Sequence, residues 1–260
     1  MNEFCQQNKI KLYVFEVPKK ESLYKEFLSG KYGFDEKKFM KVSLAQESIR
    51  KGARKHHIPH IYPYDALRDA VKSDFVFFKC SHHWTDWGAY VGYRELMKEI
   101  RKDFPDMPVV TLDNYRKSQN WLQRDTFRRD YGVLWHFPQF FNDEHLGSTR
   151  KIFYNYYDHK DANKMVLKMD GFTKQFTYPH GKHNIMLFGT SQNENFLEFL
   201  PYSAAQTKYI RVNWGQVKEA DEFKILKLYK KDIVAFKPDI LILSISTDDL
   251  SRLRDLCSTK

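Results

Sequence analysis

Three side chains that could carry acyl-transfer chemistry follow two apolar segments. Ser191 comes two residues after the end of IMLFG (185–189), and His82 and His83 come shortly after FVFF (75–78). A serine hydroxyl is a weak nucleophile until a base within hydrogen-bond distance accepts its proton. If both segments are strands of a parallel sheet, their carboxyl ends meet at the edge where open α/β sheets bind ligands. The spacing therefore predicts that the serine and a histidine lie at one edge of a sheet.

The residues around Ser191 leave a structural alternative open. A helix is predicted directly after this serine, and its first amide groups would be free to stabilise a developing oxyanion. The same serine could instead cap that helix, with Glu194 three residues later as its capping-box partner. Likewise, a histidine of this pair could be an ordinary core or surface residue whose ring nitrogens are hydrogen-bonded.

A metal site is the competing chemical interpretation. Its candidate ligands are the histidines, cysteine and aspartate of two short segments: Cys80, His82, His83, Asp86, His56, His57 and His60. Adjacent histidines on a strand point to opposite faces, so they do not naturally share one ion. The three cysteines are far apart and form no CxxC pair, which argues against a zinc ribbon or a disulfide framework. We therefore predict no metal and no cofactor.

Composition limits the class of protein and of partner. The chain has 260 residues with a formal net charge of +10, made by 43 Lys and Arg against 33 Asp and Glu. This balance favours acidic partners, but the charges are dispersed and no nucleic-acid-binding motif accompanies them. No apolar window approaches the roughly 18 residues of a membrane span, and the start lacks a secretory-signal pattern. We expect a soluble chain that binds no nucleic acid and does not cross a membrane.

Strand and helix patterns alternate along the chain and predict an α/β fold with a mostly parallel sheet and helices on both faces. The most amphipathic helix is predicted over 85–103, directly after the histidines. Strands are predicted at 9–18, 74–79, 107–115, 183–191, 207–213 and 237–246, and further helices at 19–28, 38–57, 193–200 and 217–236. Residues 116–183 are less regular and are predicted to be an insertion of loops and strands within one domain, 1–260.

The segment SHHWTDWGAY (81–90), followed by an amphipathic helix, resembles the D-x-H-W signature of the DHHW or alginate O-acetyltransferase-like family. Other blocks are similar to those of the family and occur in the same order from about residue 9 to 246. They are KIKLYVFEVPKKESLYKEFL, IPHIYPYDALRDAVKSDFVFFK, IMLFGTSQNENFLEFL and FKPDILILSIS. The resemblance implies a three-layer α/β/α fold of the SGNH-hydrolase type.

The resemblance also implies a function and a set of site residues. Family enzymes transfer acetyl groups to, or remove them from, hydroxyls of cell-envelope polysaccharides through an acyl-serine intermediate. Carried to this chain, Ser191 is the nucleophile and His83 is the base. Thr190, Asn213 and Gly215 are then expected in the oxyanion or substrate pocket. Trp84 is grouped with them, although it is expected to pack behind the base, and His82 is expected to point away.

The family resemblance further implies where the protein works and with what. The expected substrate is an acidic or neutral polysaccharide in the periplasm or cell envelope. A membrane-bound protein is a possible acyl donor, and the donor itself is not identified by the sequence.

The family's acid position, two residues before the base, holds Ser81 in this chain. A serine hydroxyl can accept the imidazole Nδ1 proton in a hydrogen bond, but it supplies no charge to balance the imidazolium. Three hypotheses follow. The enzyme works as a serine–histidine dyad, another carboxylate (Asp86, Asp113 or Asp248) takes the role of the acid, or the site is impaired and the protein only binds glycan. A metal-dependent hydrolase remains the hypothesis from outside the family.

Overall fold

The computed structural model describes residues 1–24, 47, 49–73, 75–77, 83–117, 157–212 and 224–246. Within these ranges the strands are β1 Lys11–Val17, β2 His60–Ile61, β3 Tyr115–Lys117, β4 Tyr157–His159, β5 Val166–Asp170, β6 Thr173–Thr177, β7 Asn184–Gly189, β8 Gln206–Arg211 and β9 Ile240–Ser246. The α-helices are α1 Asn2–Gln7, α2 Lys20–Leu23, α3 at 49–55, α4 Tyr64–Val71, α5 Asp86–Asp103 and α6 Lys224–Phe236. Short 3₁₀ helices are formed by Leu112–Asn114, Ala162–Lys164, Ser191–Glu198 and Leu200–Tyr202.

Seven strands form one sheet in the order β2-β1-β9-β7-β8-β6-β5. The first five are parallel to one another, whereas β6 is antiparallel to β8 and β5 is antiparallel to β6. β3 and β4 form a separate antiparallel pair. The carboxyl ends of the parallel strands therefore meet at one edge, and β7, which precedes Ser191, lies in the middle of the sheet.

Each face of the sheet is covered by its own apolar cluster. Side chains alternate along a strand, so Tyr13 and Phe15 of β1 point to one face while Leu12 points to the other. The first face packs against α5, whose Ala89, Tyr90, Tyr93, Leu96, Met97 and Ile100 are all buried, as the helical spacing predicts. The second face packs against α1 and α6, which contribute Cys5 and Ile233. These layers confirm the predicted α/β/α architecture.

Most element predictions agree with the structure. The strands at 9–18, 183–191, 207–213 and 237–246 correspond to β1, β7, β8 and β9. The helix at 85–103 corresponds to α5, and the described parts of 38–57 and 217–236 are helical. The segment predicted as an insertion contributes β5 and β6, which extend the main sheet.

Three predictions are wrong. No strand covers 107–114, because the Asn114 side chain accepts a hydrogen bond from Thr111 N–H (2.7 Å) and stabilises a 3₁₀ turn instead. Residues 75–77 form only an isolated bridge, from Phe77 to Trp84, and not a strand of the sheet. Their backbone groups bond elsewhere, since Val76 N–H donates to Tyr24 Oη and Val76 O accepts from Thr85 N–H. The helix at 193–200 is a 3₁₀ helix that starts at Ser191.

Within the described helices, none is both long enough and apolar enough to span a bilayer.

The start of α5 packs too closely against the segment before it to accept a side chain at Gly88. A Cβ atom there would lie 2.1 Å from the carbonyl oxygen of Val76, whereas one at Gly52 in α3 would have no atom within 4 Å. We expect Gly88→Ala to lower the free energy of unfolding by about 1–3 kcal/mol, because the backbone must shift. Gly52→Ala should raise it by about 0.5–1 kcal/mol, because alanine favours the helix. Urea denaturation of both variants measures this, and equal effects would contradict the packing described here.

Candidate active site

Ser191 lies just beyond the carboxyl end of β7, where it begins a 3₁₀ helix. Gly189 ends the strand and Thr190 occupies the N-cap position. The proposed capping role of Ser191 with Glu194 is therefore wrong, because the cap falls one residue earlier. The Glu194 carboxylate instead lies near Arg211 (3.2 Å) and Lys174 (3.4 Å). The Ser191 hydroxyl is thus available for other contacts.

The turn that presents Ser191 is held by Asn193, which is fully buried. Its Oδ1 accepts from Thr190 N–H (2.9 Å) and its Nδ2 donates to Ser244 Oγ on β9 (2.6 Å). Gly189 is required beside it, because a Cβ atom there would lie 2.4 Å from Asn193 Oδ1. The side chain therefore ties the serine turn to the neighbouring strand.

A second hydrogen bond, from the neighbouring strand β8, fixes the same turn. Tyr209 on β8 donates its hydroxyl proton to Thr190 O (2.7 Å). Burial raises the pKa of Tyr209, so this phenol stays protonated and remains a donor. The backbone on either side of the serine is consequently anchored to two different strands. Asn193 and Tyr209 were not predicted as site residues, because their partners are distant in sequence.

His83 lies next to Ser191, although 108 positions separate the two residues in sequence. The distance from His83 Nε2 to Ser191 Oγ is 3.0 Å, which is a hydrogen-bond distance. The histidine side chain is largely buried, with 5% of the residue exposed, and Ser191 is partly exposed. The structure thus brings together the two residues that the sequence suggested as nucleophile and base.

Trp84 and Thr85 hold His83 in this position. The Trp84 indole N–H donates to Gln192 O (2.7 Å), which joins the residue after the histidine to the residue after the serine. Thr85 caps α5 by accepting from Gly88 N–H (3.1 Å) and donates its own hydroxyl proton to Phe75 O (2.9 Å). The two residues that follow His83 are therefore fixed, which limits the positions that its imidazole can take.

Trp84 supports the site and does not line it. Its side chain is fully buried and packs against Phe196 (ring centroids 4.8 Å apart) and Phe15 (6.2 Å). A residue without exposed surface does not contact a substrate, so its grouping with the substrate-binding residues is corrected to a positioning role. Thr190 is partly exposed and lies between the strand and Ser191.

The described part of the chain contains two of the carboxylates considered as a replacement acid. Asp86, in the first turn of α5, is buried, and its Oδ1 accepts from Asn195 Nδ2 (2.8 Å). Asn195 belongs to the 3₁₀ helix that Ser191 begins, so this bond is a further link between the two halves of the site. Asp113 is exposed on a different 3₁₀ helix. Asp86 is therefore the better candidate of the two.

Several predicted residues lie outside the described ranges. They are Ser81, His82, Asn213, Gly215 and Asp248, together with Cys80 of the metal hypothesis. Among the residues that the structure does describe, no three His, Cys, Asp or Glu side chains are grouped so that they could hold a metal ion.

Fold and site together define an α/β protein with a serine–histidine pair at the carboxyl edge of a parallel sheet. The family model described as "SGNH hydrolase-like domain, acetyltransferase AlgX" matches residues 1–207. Because this match covers most of the chain, the protein belongs to that family. The resemblance read from the DHHW-like segment is thereby confirmed at the level of the family.

Solved structures share the fold at low sequence identity. A DHHW family protein from Eubacterium siraeum is 11% identical with a TM-score of 0.56, over 99% of this chain and 87% of that one. Bacillus cereus PatB1, determined with a sulfonyl adduct, is 12% identical with a TM-score of 0.58, over 96% and 86%. The O-acetyltransferase domain of Pseudomonas putida AlgJ is 16% identical with a TM-score of 0.57, over 100% and 83%. Comparison with curated protein sequences gave no match.

The buried amide of Asn193 gives a test of how the serine turn is held. We expect Asn193→Ala to lower the free energy of unfolding by about 1–3 kcal/mol, because Thr190 N–H and Ser244 Oγ lose their partner away from water. Asn114→Ala is a matched control, since Asn114 makes the same bond to Thr111 N–H but is exposed. Water can replace that amide, so its loss should cost less. Chemical denaturation measures both, and an equal loss would argue against the role assigned to Asn193.

Proposed function

We propose that this protein is a polysaccharide O-acetyltransferase that works through an acetyl-Ser191 intermediate. The observation that carries the proposal is the 3.0 Å contact between His83 Nε2 and Ser191 Oγ in a chain of the AlgX acetyltransferase family. A histidine at this distance can accept the serine proton as the oxygen attacks a carbonyl carbon. Removal of acetyl groups by water is the same chemistry with a different acceptor.

In the first half-reaction Ser191 Oγ attacks the carbonyl carbon of the acetyl donor and its proton passes to His83 Nε2. The tetrahedral intermediate collapses as the bond from the carbonyl carbon to the donor oxygen or sulfur breaks. The leaving group takes the proton back from His83 Nε2. The products are acetyl-Ser191 and the protonated donor remnant, with neutral His83 restored.

In the second half-reaction a sugar hydroxyl of the acceptor approaches from the open side of Ser191. His83 Nε2 accepts its proton while the oxygen attacks the acetyl carbonyl. The bond to Ser191 Oγ then breaks, the serine recovers the proton from His83, and the acetylated polysaccharide leaves. Water in place of the sugar hydroxyl gives acetate and makes the protein an esterase.

The negative charge of each tetrahedral intermediate needs donors close to Ser191. We assign the Ser191 N–H to this role. The first hydrogen bond of the 3₁₀ helix is donated by Asn193 N–H to Thr190 O, so the Ser191 N–H lies before the bonded part of the helix. Gly215 N–H and Asn213 are proposed as further donors on the basis of the family resemblance. Preorganised donors of this type typically contribute about 2.7–4 kcal/mol each to transition-state stabilisation.

The proposed substrate and compartment rest on the family resemblance. The acetyltransferase family model and the O-acetyltransferase domain of AlgJ support acetyl transfer to an oxygen. A polysaccharide acceptor in the cell envelope is proposed from the resemblance of the sequence blocks to the family. The net charge of +10 suits an acidic polysaccharide. A membrane-bound acyl-donor protein is the proposed source of the acetyl group, without a bound cofactor in this chain.

The proposal predicts that acetyl-ester hydrolysis depends on both members of the pair. Ser191→Ala and His83→Ala should each lower kcat for a chromogenic acetyl ester by at least about 1,000-fold, since the residues act as one unit. Ser73→Ala and His56→Ala, which change exposed residues of the same types, are matched controls that should retain the parent rate. A sulfonyl fluoride should also modify the parent once, at Ser191, with release of fluoride, and should not modify Ser191→Ala.

Two other outcomes of these assays would each indicate a different function. No turnover by the parent, with glycan binding intact in every variant, would indicate a binding module, which the serine at the family's acid position favours. Activity that survives Ser191→Ala and disappears with a chelator would indicate a metal-dependent hydrolase.

The identity of the acid can be tested by a pair of substitutions. If the missing charge limits the rate, Ser81→Asp should raise kcat, because a carboxylate stabilises the imidazolium; neutralising the acid of a protease triad lowers kcat by about 10⁴. If Asp86 already supplies the charge, Ser81→Asp should give no gain and Asp86→Asn should lower kcat. Hydrolysis rates of the two variants distinguish these cases. Asp113→Asn is the control and should leave kcat unchanged.

A further inference from the structure

The hairpin of β5 and β6 exposes apolar side chains at one end of the sheet. Five large apolar side chains are exposed in the described ranges, and four of them belong to this hairpin: Val166, Leu167, Met169 and Phe172, each between 47% and 72% exposed. Every residue of β5 is exposed, whereas every residue of the central strand β9 is buried. Within the described structure, β5 is therefore an edge strand that neither helical layer covers.

The outer edge of β5 directs backbone groups away from the sheet. Arg211 N–H of β8 donates to Phe172 O, and hydrogen-bonded pairs alternate along antiparallel strands, so the even-numbered residues of β6 bond to β8 and the odd-numbered ones to β5. The register of the hairpin then bonds the even-numbered residues of β5 to β6. Leu167 and Met169 consequently point their N–H and C=O groups outward. An exposed edge of this kind is a template for pairing with another strand.

The side chains of β5 separate into an apolar face and a charged face. Leu167 lies opposite Phe176 of β6, which packs against the apolar cluster on the α5 side, and Met169 points to the same face. Lys168 and Asp170 point to the other face and are both exposed. Among the described residues, neither of these two forms an ion pair. The charged face thus carries one positive and one negative group, with Met169 between them in sequence.

Two copies of β5 are complementary when they pair antiparallel with Met169 at a two-fold axis. Lys168 of one copy then lies opposite Asp170 of the other, and the symmetry repeats this pair, so both exposed charges are matched. On the apolar face the two Met169 side chains meet, and Leu167 lies against the turn of the second hairpin. The outward N–H and C=O groups of Met169 bond across the axis. An axis at Lys168 would instead place two lysines opposite each other.

A lipid surface and an unrelated protein fit the hairpin less well. The hydrocarbon of a bilayer offers no partner to the open backbone groups of a strand edge, and the Asp170 carboxylate beside the turn would have to leave water. An unrelated protein gives no reason for a charge pattern that is complementary to itself after a two-fold rotation. A symmetric contact between identical chains requires that pattern.

We propose that two copies of this chain associate through β5 and form a symmetric dimer with one continuous sheet. The contact involves one strand and its turn, fewer than the about 20–30 residues per partner of a standard interface, so the dimer is weak and depends on protein concentration. Because the paired strands are antiparallel, the two serine turns lie at opposite edges of the joined sheet and both stay open. The inference goes beyond acetyl transfer and does not require it.

Sedimentation of the full chain over a range of protein concentrations tests this dimer through its charges. We expect the parent to show a reversible monomer–dimer equilibrium. Lys168→Glu and Asp170→Lys should each weaken dimerisation by about tenfold, because symmetry turns one substitution into two like-charge pairs. The double variant should dimerise like the parent, and an equimolar mixture of the two single variants should form a mixed dimer. Lys55→Glu makes the same charge change at an exposed lysine of α3 and should leave dimerisation unchanged.

A cysteine at the axis tests the register directly. Met169→Cys places two thiols in a hydrogen-bonded pair with Cα atoms about 5.5 Å apart, which permits a disulfide. Oxidised glutathione should link this variant into covalent dimers, whereas the parent and Val234→Cys, which changes an exposed residue of α6, should stay unlinked.

Three results would overturn the proposal. They are a parent that stays monomeric at every concentration, a double charge variant that dimerises no better than Lys168→Glu, and Met169→Cys chains that link no faster than Val234→Cys chains. Binding of a monomeric parent to phosphatidylglycerol vesicles, with loss of binding in Met169→Ser, would assign the hairpin to a membrane surface instead. Circular dichroism and the melting temperature check that each variant is folded.

Discussion

The hydrogen bond from the Trp84 indole to Gln192 O is the contact on which the site geometry depends. It joins two segments that are distant in sequence, and it does so one residue beyond the histidine and one residue beyond the serine. Because the indole is fully buried, water does not compete for this bond. The 3.0 Å distance between His83 and Ser191 is thus fixed by a neighbouring interaction that takes no part in proton transfer.

A parallel sheet makes this arrangement possible. Strands β7 and β9 end at the same edge, so Asn193 can reach from the turn after one strand to Ser244 on the other. Helix α5 packs on the face of the sheet that holds Tyr13 and Phe15. The helix is capped by Thr85, so His83, two residues earlier, lies at the carboxyl edge of the sheet. The histidine therefore approaches from a loop before a helix, and not from a strand of the sheet as its apolar neighbours suggest.

The sequence predicts the large periodic elements and the serine–histidine pair, but not the contacts that connect them. Strand β7 and helix α5 follow from residue spacing alone, because periodicity reports which face is buried. Residues 75–77 look like a strand in composition, yet Thr85 and Tyr24 satisfy their backbone groups. Asn193 has no local signature that reveals a partner 51 positions away. Contacts of this kind depend on tertiary structure, which no short window of sequence contains.

The burial of His83 makes the serine at position 81 more consequential. Water has little access to the imidazolium that forms when His83 accepts a proton, so protein groups must balance its charge. Asp86 lies three residues away at the start of α5, where the helix dipole and the Asn195 amide both stabilise its carboxylate. Among the described residues, Asp86 is the carboxylate nearest to His83 in sequence. The loss of rate caused by a neutral residue at the acid position therefore depends on how much of the missing negative charge other groups of the fold already supply.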